Sequence, residues 1–270
     1  MREFRSVRVP LLIAAVPLML GLQQPPRHPD LGAHFKGLDG TFVLLNGATG
    51  EYVRYNPSRA ARRFAPCSTF KIPHSAVLLE TGAAPDPAFT LKYDPALKQP
   101  AHWARNFDLS GAFKASALWY YQALARKVGM LTERRFVAQF QYGHFDGRGS
   151  LDPPGAPFWV DGSLTISANE QVEFLRRFYE GRLGLSDRTT RLTKAIMVAQ
   201  TTPSWRLSAK TGACQPPGYD TSNWYVGYVE KAGAVHYFAL QIGAPTYEGR
   251  AYAERIPITR AILSTLGILD

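Results

Sequence analysis

Ser68 and Lys71 stand three residues apart in the stretch Phe64-Ala65-Pro66-Cys67-Ser68-Thr69-Phe70-Lys71-Ile72-Pro73, where the pattern predicts the opening of a helix. Residues at that spacing share a helix face, so the lysine amine can reach the serine hydroxyl. A serine hydroxyl is a weak nucleophile until a neighbouring base takes its proton. Lysine can be that base only where burial or neighbours keep its amine from being an ordinary ammonium. The apolar flanks Phe64, Ala65, Phe70 and Ile72 predict such a desolvated site. Ser-x-x-Lys is common by itself, so its companions decide what it means.

Two companions follow in order. Ser116-Ala117-Leu118 lies 48 residues after Ser68, near the start of a predicted helical run, and Lys210-Thr211-Gly212 lies 142 residues after it, fed by a predicted strand from Trp205. Together the three elements are the signature set of penicillin-recognising serine enzymes. One wall supplies nucleophile and base, a second supplies a hydroxyl for proton relay, and an edge strand holds the substrate.

From about Gly37 onward the chain resembles the class D, oxacillinase-type, serine β-lactamases. The resemblance rests on the Ser68 and Ser116 motifs, Tyr142-Gly143-His144, the stretch Phe158-Trp159-Val160-Asp161-Gly162-Ser163-Leu164-Thr165-Ile166-Ser167 with Glu170-Gln171, Lys210-Thr211-Gly212, and Trp224 to Glu230. It implies that Lys71 is carboxylated by carbon dioxide to N6-carboxylysine, the general base for both acylation and deacylation. Only a neutral amine reacts with carbon dioxide, and burial favours that form. The carbamate needs a hydrogen-bond donor, and Trp159, whose indole N–H only donates, is the residue expected to supply it. Outside the resemblance, Trp159 reads as an ordinary packing aromatic.

The same resemblance implies an oxyanion site at the backbone N–H groups of Ser68 and Ala213, and proton delivery to the leaving lactam nitrogen by Ser116 and Lys210. Thr211, Gly212 and Arg255 line the substrate side, where the guanidinium fork matches a carboxylate. Arg255 otherwise reads as a surface arginine. The expected substrate is a small-molecule β-lactam, and the only added reactant is carbon dioxide or bicarbonate, with no metal or organic cofactor. Two residues depart from the family pattern: Leu118 stands where valine is usual and His144 where asparagine is usual. Leu118 adds a methylene to the site and would crowd the carbamate or the deacylating water. His144 would add a group titrating near neutrality, or simply be a solvated loop side chain.

Cys67 precedes the nucleophile and Cys214 lies four past Lys210. Similar placements are bridged in some class A carbapenem-hydrolysing enzymes, so the pair reads either as a disulfide or as two buried thiols. Neither reading makes Cys67 the nucleophile, because Lys71 is spaced for Ser68.

The elements that must position these residues are legible in outline. Thr41–Leu45 and Tyr52–Tyr55 read as a hairpin, Trp103 to Leu183 as mostly helical, and Ser167 with Glu170 as a capping box that starts a helix through Phe178. A proline-rich loop, Gly149 to Gly162, would wall the site. Strands from Trp205, over Trp224–Glu230 and over Val235–Ile242 precede a terminal helix from about Ile258 to Leu266. The expected fold class is α+β: one antiparallel sheet flanked by terminal helices, with an inserted helical lobe and the site at their junction.

Arg2, Arg5 and Arg8 followed by the apolar run Val9–Leu22 read as an export signal over residues 1–22, too short for a confident membrane span. Residues 23–36 then form a linker and 37–270 one catalytic domain, a periplasmic or secreted monomer or homodimer. The net charge of +10 falls to about +8 without Arg2, Arg5, Arg8 and Glu3. The basic residues are scattered, which argues against a nucleic-acid partner or a stable membrane partner and leaves steering of an anionic substrate. Two rivals share the motifs: a cell-wall peptidase, and an antibiotic-sensing domain that acylates without turnover. Trp159 and the compact length favour the hydrolase over the first. The second normally follows several membrane helices, and the one short apolar segment of this sequence weighs against it.

Overall fold

Alternation of buried side chains along Thr41-Phe42-Val43-Leu44-Leu45 sends Phe42 and Leu44 to one core and Val43 and Leu45 to another, as the two-residue period of a strand requires. The sheet they belong to is therefore covered on both faces. The computed structural model describes residues 1, 3, 29–151, 156–218, 221–245 and 249–270, so the predicted export segment lies outside the described residues.

The central sheet has six strands: β1 (Gly40–Asn46), β2 (Tyr52–Tyr55), β3 (Val198–Thr201), β4 (Trp205–Cys214), β5 (Thr221–Lys231) and β6 (Ala234–Ala244). They run β2-β1-β6-β5-β4-β3, antiparallel throughout. Ala232 and Gly233, both with positive φ, make the two-residue turn between β5 and β6, a geometry that suits the twist of paired strands. On one face Phe238, Leu240 and Ile242 pack against Ile258, Ile262 and Leu263 of the Arg250–Thr265 helix and against Leu31 and Phe35 near the N-terminus. On the other, Trp224, Val226 and Tyr228 meet Val172, Leu175 and Phe178 of the Ala168–Tyr179 helix and the rest of the helical lobe. The α+β architecture expected from the sequence is the one observed.

Several elements differ from expectation for identifiable reasons. Ser68 does not lie in the α-helix itself but in a 3-10 turn, Cys67–Phe70, which feeds the Lys71–Glu80 helix. The terminal helix begins at Arg250 rather than near Ile258, because Pro257 sits inside it while buried Ala251 and Arg255 continue the inward face. The helical middle is interrupted by short ribbons, in which Arg63–Phe64 pairs with Leu164–Ser167 and that strand pairs with His144–Phe145. Polar composition conceals the Asp187–Met197 helix, whose buried residues include Thr189, Thr193, Ile196 and Met197. Leu31 and Phe35 are buried within the stretch expected to be linker. No described helix is long and apolar enough to cross a membrane.

Cys67 and Cys214 are bridged, their Cα atoms 5.6 Å apart across 147 residues of sequence. The bridge fastens the turn that carries Ser68 to β4. Closing so long a loop restricts the unfolded chain, so reduction, or the Cys67→Ser/Cys214→Ser double change, should lower unfolding free energy by about 2–5 kcal/mol in denaturant titrations. Two thiols that titrate freely in denatured, oxidised protein would contradict the bridge.

Candidate active site

The Ser68 turn is held from three sides before any catalytic contact is made. Thr69 Oγ1 donates to Pro66 O at 2.7 Å and accepts from Gln171 Nε2 at 2.9 Å, and Gln171 Nε2 also donates to Tyr142 OH at 3.1 Å. Cys67 N donates to Trp159 O at 2.9 Å. On the third side β4 presses so close that a Cβ at Gly212 would meet Pro66 O at 2.8 Å and Thr69 N at 3.1 Å. Only glycine allows the strand that far in.

The turn and the following helix place Lys71 Nζ 2.8 Å from Ser68 Oγ, to which it donates. Lys71 is 1% exposed. Burial holds its amine well below the usual lysine range, and the charge of Lys210 pushes in the same direction. Its Nζ lies 5.2 Å from the centre of the Tyr121 ring. Trp159 is fully buried and stacked on Phe70, ring centres 5.4 Å apart. Its Nε1 has no hydrogen-bond partner among the described residues, which is costly for a buried donor.

The second wall is built by Ser116, whose positive φ of 57° ends the Leu109–Ala115 helix and turns the chain into the next one. Lys210 Nζ donates to Ser116 Oγ at 3.0 Å and to Thr211 O at 3.0 Å. Burial brings Lys210 down to about 7, with the Arg255 charge as the second cause. The last half of β4 is a free sheet edge among the described residues, since β3 pairs only with Arg206 to Ser208. Thr211 and Ala213 are half-buried along that edge, and a cavity of about 280 Å³ lined by Phe113, Ile196, Lys210, Thr211 and Tyr225 opens beside it.

Ser68, Lys71, Ser116 and Lys210 thus come together as the motifs imply. Ala213 neighbours Cys214 and Ser68 neighbours Cys67, so the disulfide joins the two segments that carry the expected oxyanion donors. Arg255 is not a surface arginine: it is 8% exposed, its guanidinium stacks over Tyr252 at 3.7 Å, and its Nη1 donates to Tyr252 O. Its effect on Lys210 ties it electrostatically to the site. Leu118 is half-buried as the first residue of the Leu118–Val128 helix and packs on the helical core. His144 lies apart, exposed on a short strand where its carbonyl accepts from Thr165 Oγ1 at 3.5 Å, so it is a surface residue.

Sequence reasoning missed Tyr121, which covers Lys71, and a buried pair, His74 with Glu133, behind the site. His74 had a visible signal, being one helical turn beyond Lys71; Glu133 had none.

Residues 40–264 match the penicillin binding protein transpeptidase domain family. β-Lactamase OXA-20 of Pseudomonas aeruginosa is 34% identical over 266 residues, 96% of each chain. β-Lactamase OXA-48 of Klebsiella pneumoniae is 34% identical over 229 residues, covering 83% of this chain and 82% of that one. Among solved structures, the class D β-lactamase YbXI from Nostoc superposes with a TM-score of 0.80 at 34% identity, covering 89% of this chain and 99% of its own. FUS-1 (OXA-85) from Fusobacterium nucleatum subsp. polymorphum gives 0.82 at 27% identity, covering 89% and 98%.

The Lys210 titration supplies a test of this electrostatic layout. The fold disfavours the Lys210 ammonium, so between about pH 7 and the ordinary value of 10.5 the folded chain binds fewer protons than the unfolded one. Its contribution to stability therefore rises with pH across that window. Arg255→Leu removes the second cause and should move the Lys210 midpoint upward in a ¹³C NMR titration of lysine Cε. An unchanged midpoint would mean that burial alone depresses it.

Proposed function

The chain belongs to the class D serine β-lactamases, enzymes that hydrolyse β-lactams, and we propose that it acts through an ester on Ser68 with N-carboxylated Lys71 as the general base of both half-reactions. The observation that carries this reading is a buried, weakly basic Lys71 amine and a Trp159 N–H unpartnered among the described residues, both bordering one ring cluster through Tyr121 and His74. A free amine is the form that takes up carbon dioxide. Its Nζ lone pair forms the C–N bond, one C=O π pair becomes carboxylate charge, and the displaced N–H proton leaves to water. The Trp159 donor then has an anionic acceptor that no other described residue provides. When present, the carbamate supplies a carboxylate-type base at the end of a rigid, buried side chain.

Ser68 Oγ gives up its proton towards the Lys71 side chain, 2.8 Å away, and attacks the lactam carbonyl carbon. The N–H groups of Ser68 and Ala213 stabilise the developing oxyanion; one such donor typically contributes about 3 kcal/mol. As the C–N bond breaks, Ser116 passes its proton to the lactam nitrogen and is resupplied by Lys210, its partner at 3.0 Å. The substrate carboxylate is drawn to Thr211 and Arg255 at the β4 edge, in a field where Lys210 lowers the proton affinity of Lys71 and Arg255 lowers that of Lys210, with no acidic group among the causes. Water then cleaves the ester and restores Ser68. The N-terminal basic and apolar segment fits export, so the working enzyme is placed in the periplasm or outside the cell.

A specific feature favours testing the opposite outcome as well. Leu118, where the resemblance implies valine, is bulkier beside the Ser116 wall, and an enzyme that acylates and stalls would behave as a penicillin-binding sensor. Hydrolysis of a chromogenic cephalosporin should be sustained and should accelerate with added bicarbonate. Trp159→Phe should make activity strongly bicarbonate-dependent, and Ser68→Ala should lower turnover by roughly 10⁴-fold or more. A single burst equal to the enzyme concentration would overturn turnover, and indifference to bicarbonate in both wild type and Trp159→Phe would overturn the carboxylated lysine.

A further inference from the structure

Behind the Lys71 pocket lies an ionisable pair that the mechanism above does not use. His74 and Glu133 are both wholly excluded from solvent, with Nε2 3.0 Å from Oε1. His74 Nδ1 and Glu133 Oε2 have no hydrogen-bond partner among the described residues, and the Nε2–Oε1 contact itself is off the line of a well-formed hydrogen bond. The two groups are therefore in close polar contact, and neither has another partner among the described residues. Burying such a pair is expensive, and apolar residues of similar volume commonly serve stability as well or better. Stability alone therefore does not account for the pair.

Its surroundings indicate a use. His74 is one turn beyond Lys71 on the same helix. Its ring centre lies 5.3 Å from that of Trp159, 5.4 Å from Tyr121 and 5.6 Å from Phe70. Trp159 carries the unpartnered donor, Tyr121 covers the Lys71 amine at 5.2 Å, and Phe70 stacks on Trp159. Tyr121 is itself tethered, its hydroxyl 2.8 Å from Ser75 Oγ, next along the chain from His74. One imidazole therefore touches three rings around the lysine pocket, and Glu133, reaching in from the Met130–Gln139 helix, brings Oε1 to 3.0 Å from its Nε2.

We propose that His74, oriented by Glu133, is a positioning residue that sets the Trp159 and Tyr121 rings around Lys71 and so governs how tightly Lys71 takes up carbon dioxide. The proposal rests on the carboxylated-lysine reading. Neither residue touches substrate; both act through the aromatic wall, in the way that outer partners fix the ligands of a metal site.

The test titrates wild-type protein and variants with ¹³C-bicarbonate, following the carbamate resonance by NMR, with thermal unfolding recorded on the same samples. His74→Leu and Glu133→Leu should each raise the half-saturating bicarbonate concentration by about tenfold, in the range typical of lost outer-shell partners. Their unfolding midpoints should hold or rise. Glu133→Gln keeps an acceptor for the ring N–H and should stay close to the wild-type value. Wild-type half-saturation in either folded leucine variant would overturn the positioning role and leave Lys71 carboxylation standing. No carbamate resonance in wild-type protein at any bicarbonate concentration would overturn the carboxylated-lysine reading, and this proposal with it.

Discussion

Removal of water from the Lys71 amine is the constraint on which the rest of the site depends. At 1% exposure and 2.8 Å from Ser68 Oγ, the amine meets the Tyr121 ring and a hydroxyl and is in no ion pair among the described residues. Burial is the larger cause of its depressed basicity, and a second buried lysine, Lys210, adds repulsion. Lys210 is depressed in turn by burial and by Arg255. Three basic side chains thus share one region, with no acidic group among the influences on Lys71 and Lys210. That is unfavourable for the folded chain and favourable for an anionic ligand, whose carboxylate supplies the missing charge in a setting where Coulomb energies are larger than in water.

Such a site needs a rigid frame, because a mobile one would admit water and lose the effect. The frame is assembled by independent devices acting on the same short turn. The Cys67–Cys214 bridge and the Gly212 approach fix the distance between the turn and β4. The Thr69–Gln171–Tyr142 network fixes the turn against the Ala168–Tyr179 helix, and Trp224 Nε1, donating to Ala65 O at 2.9 Å, fixes its entry from β5. These groups come from the sheet and from the lobe, so the nucleophile is located where both layers agree. Preorganisation of this kind would let the proposed backbone donors and the Ser116–Lys210 pair act without first being rearranged.

Much of this was legible in the sequence, for physical reasons that also mark the boundary of what was not. Ser68, Lys71, Ser116 and Lys210 announce themselves because the chemistry dictates their types and spacing. The Ser167–Glu170 capping box is visible because both partners lie within four residues, and it is formed as expected, with Arg63 joining Glu170 from outside. The Asp187–Met197 helix was hidden by threonines that are buried, and the start of the terminal helix by Pro257. Whether Cys67 and Cys214 were joined depended on a distance across the chain, which local pattern does not contain. The resemblance to a family placed Trp159 and Arg255; the burial of Arg255 came only from packing.

The His74–Glu133 pair shows why the last layer of a site resists reading from sequence. Its members are 59 residues apart, on helices whose contact is set by the whole lobe, and each alone looks like an unremarkable polar residue. In space they fall on the far side of the same rings that enclose Lys71. The Lys71–Glu80 helix thus carries a buried amine, a buried imidazole and the buried hydroxyl of Ser75 within its first five residues, all fully or almost fully shielded from water. Each departs from the expectation that a core helix presents only apolar side chains, and departures clustered on one turn are a stronger signal than any one of them. Perturbed, buried polar groups gather where chemistry is done. The inner row of that cluster faces Ser68 and the outer row faces the walls of the pocket, so one helical turn connects the reacting atoms to the scaffold that holds them.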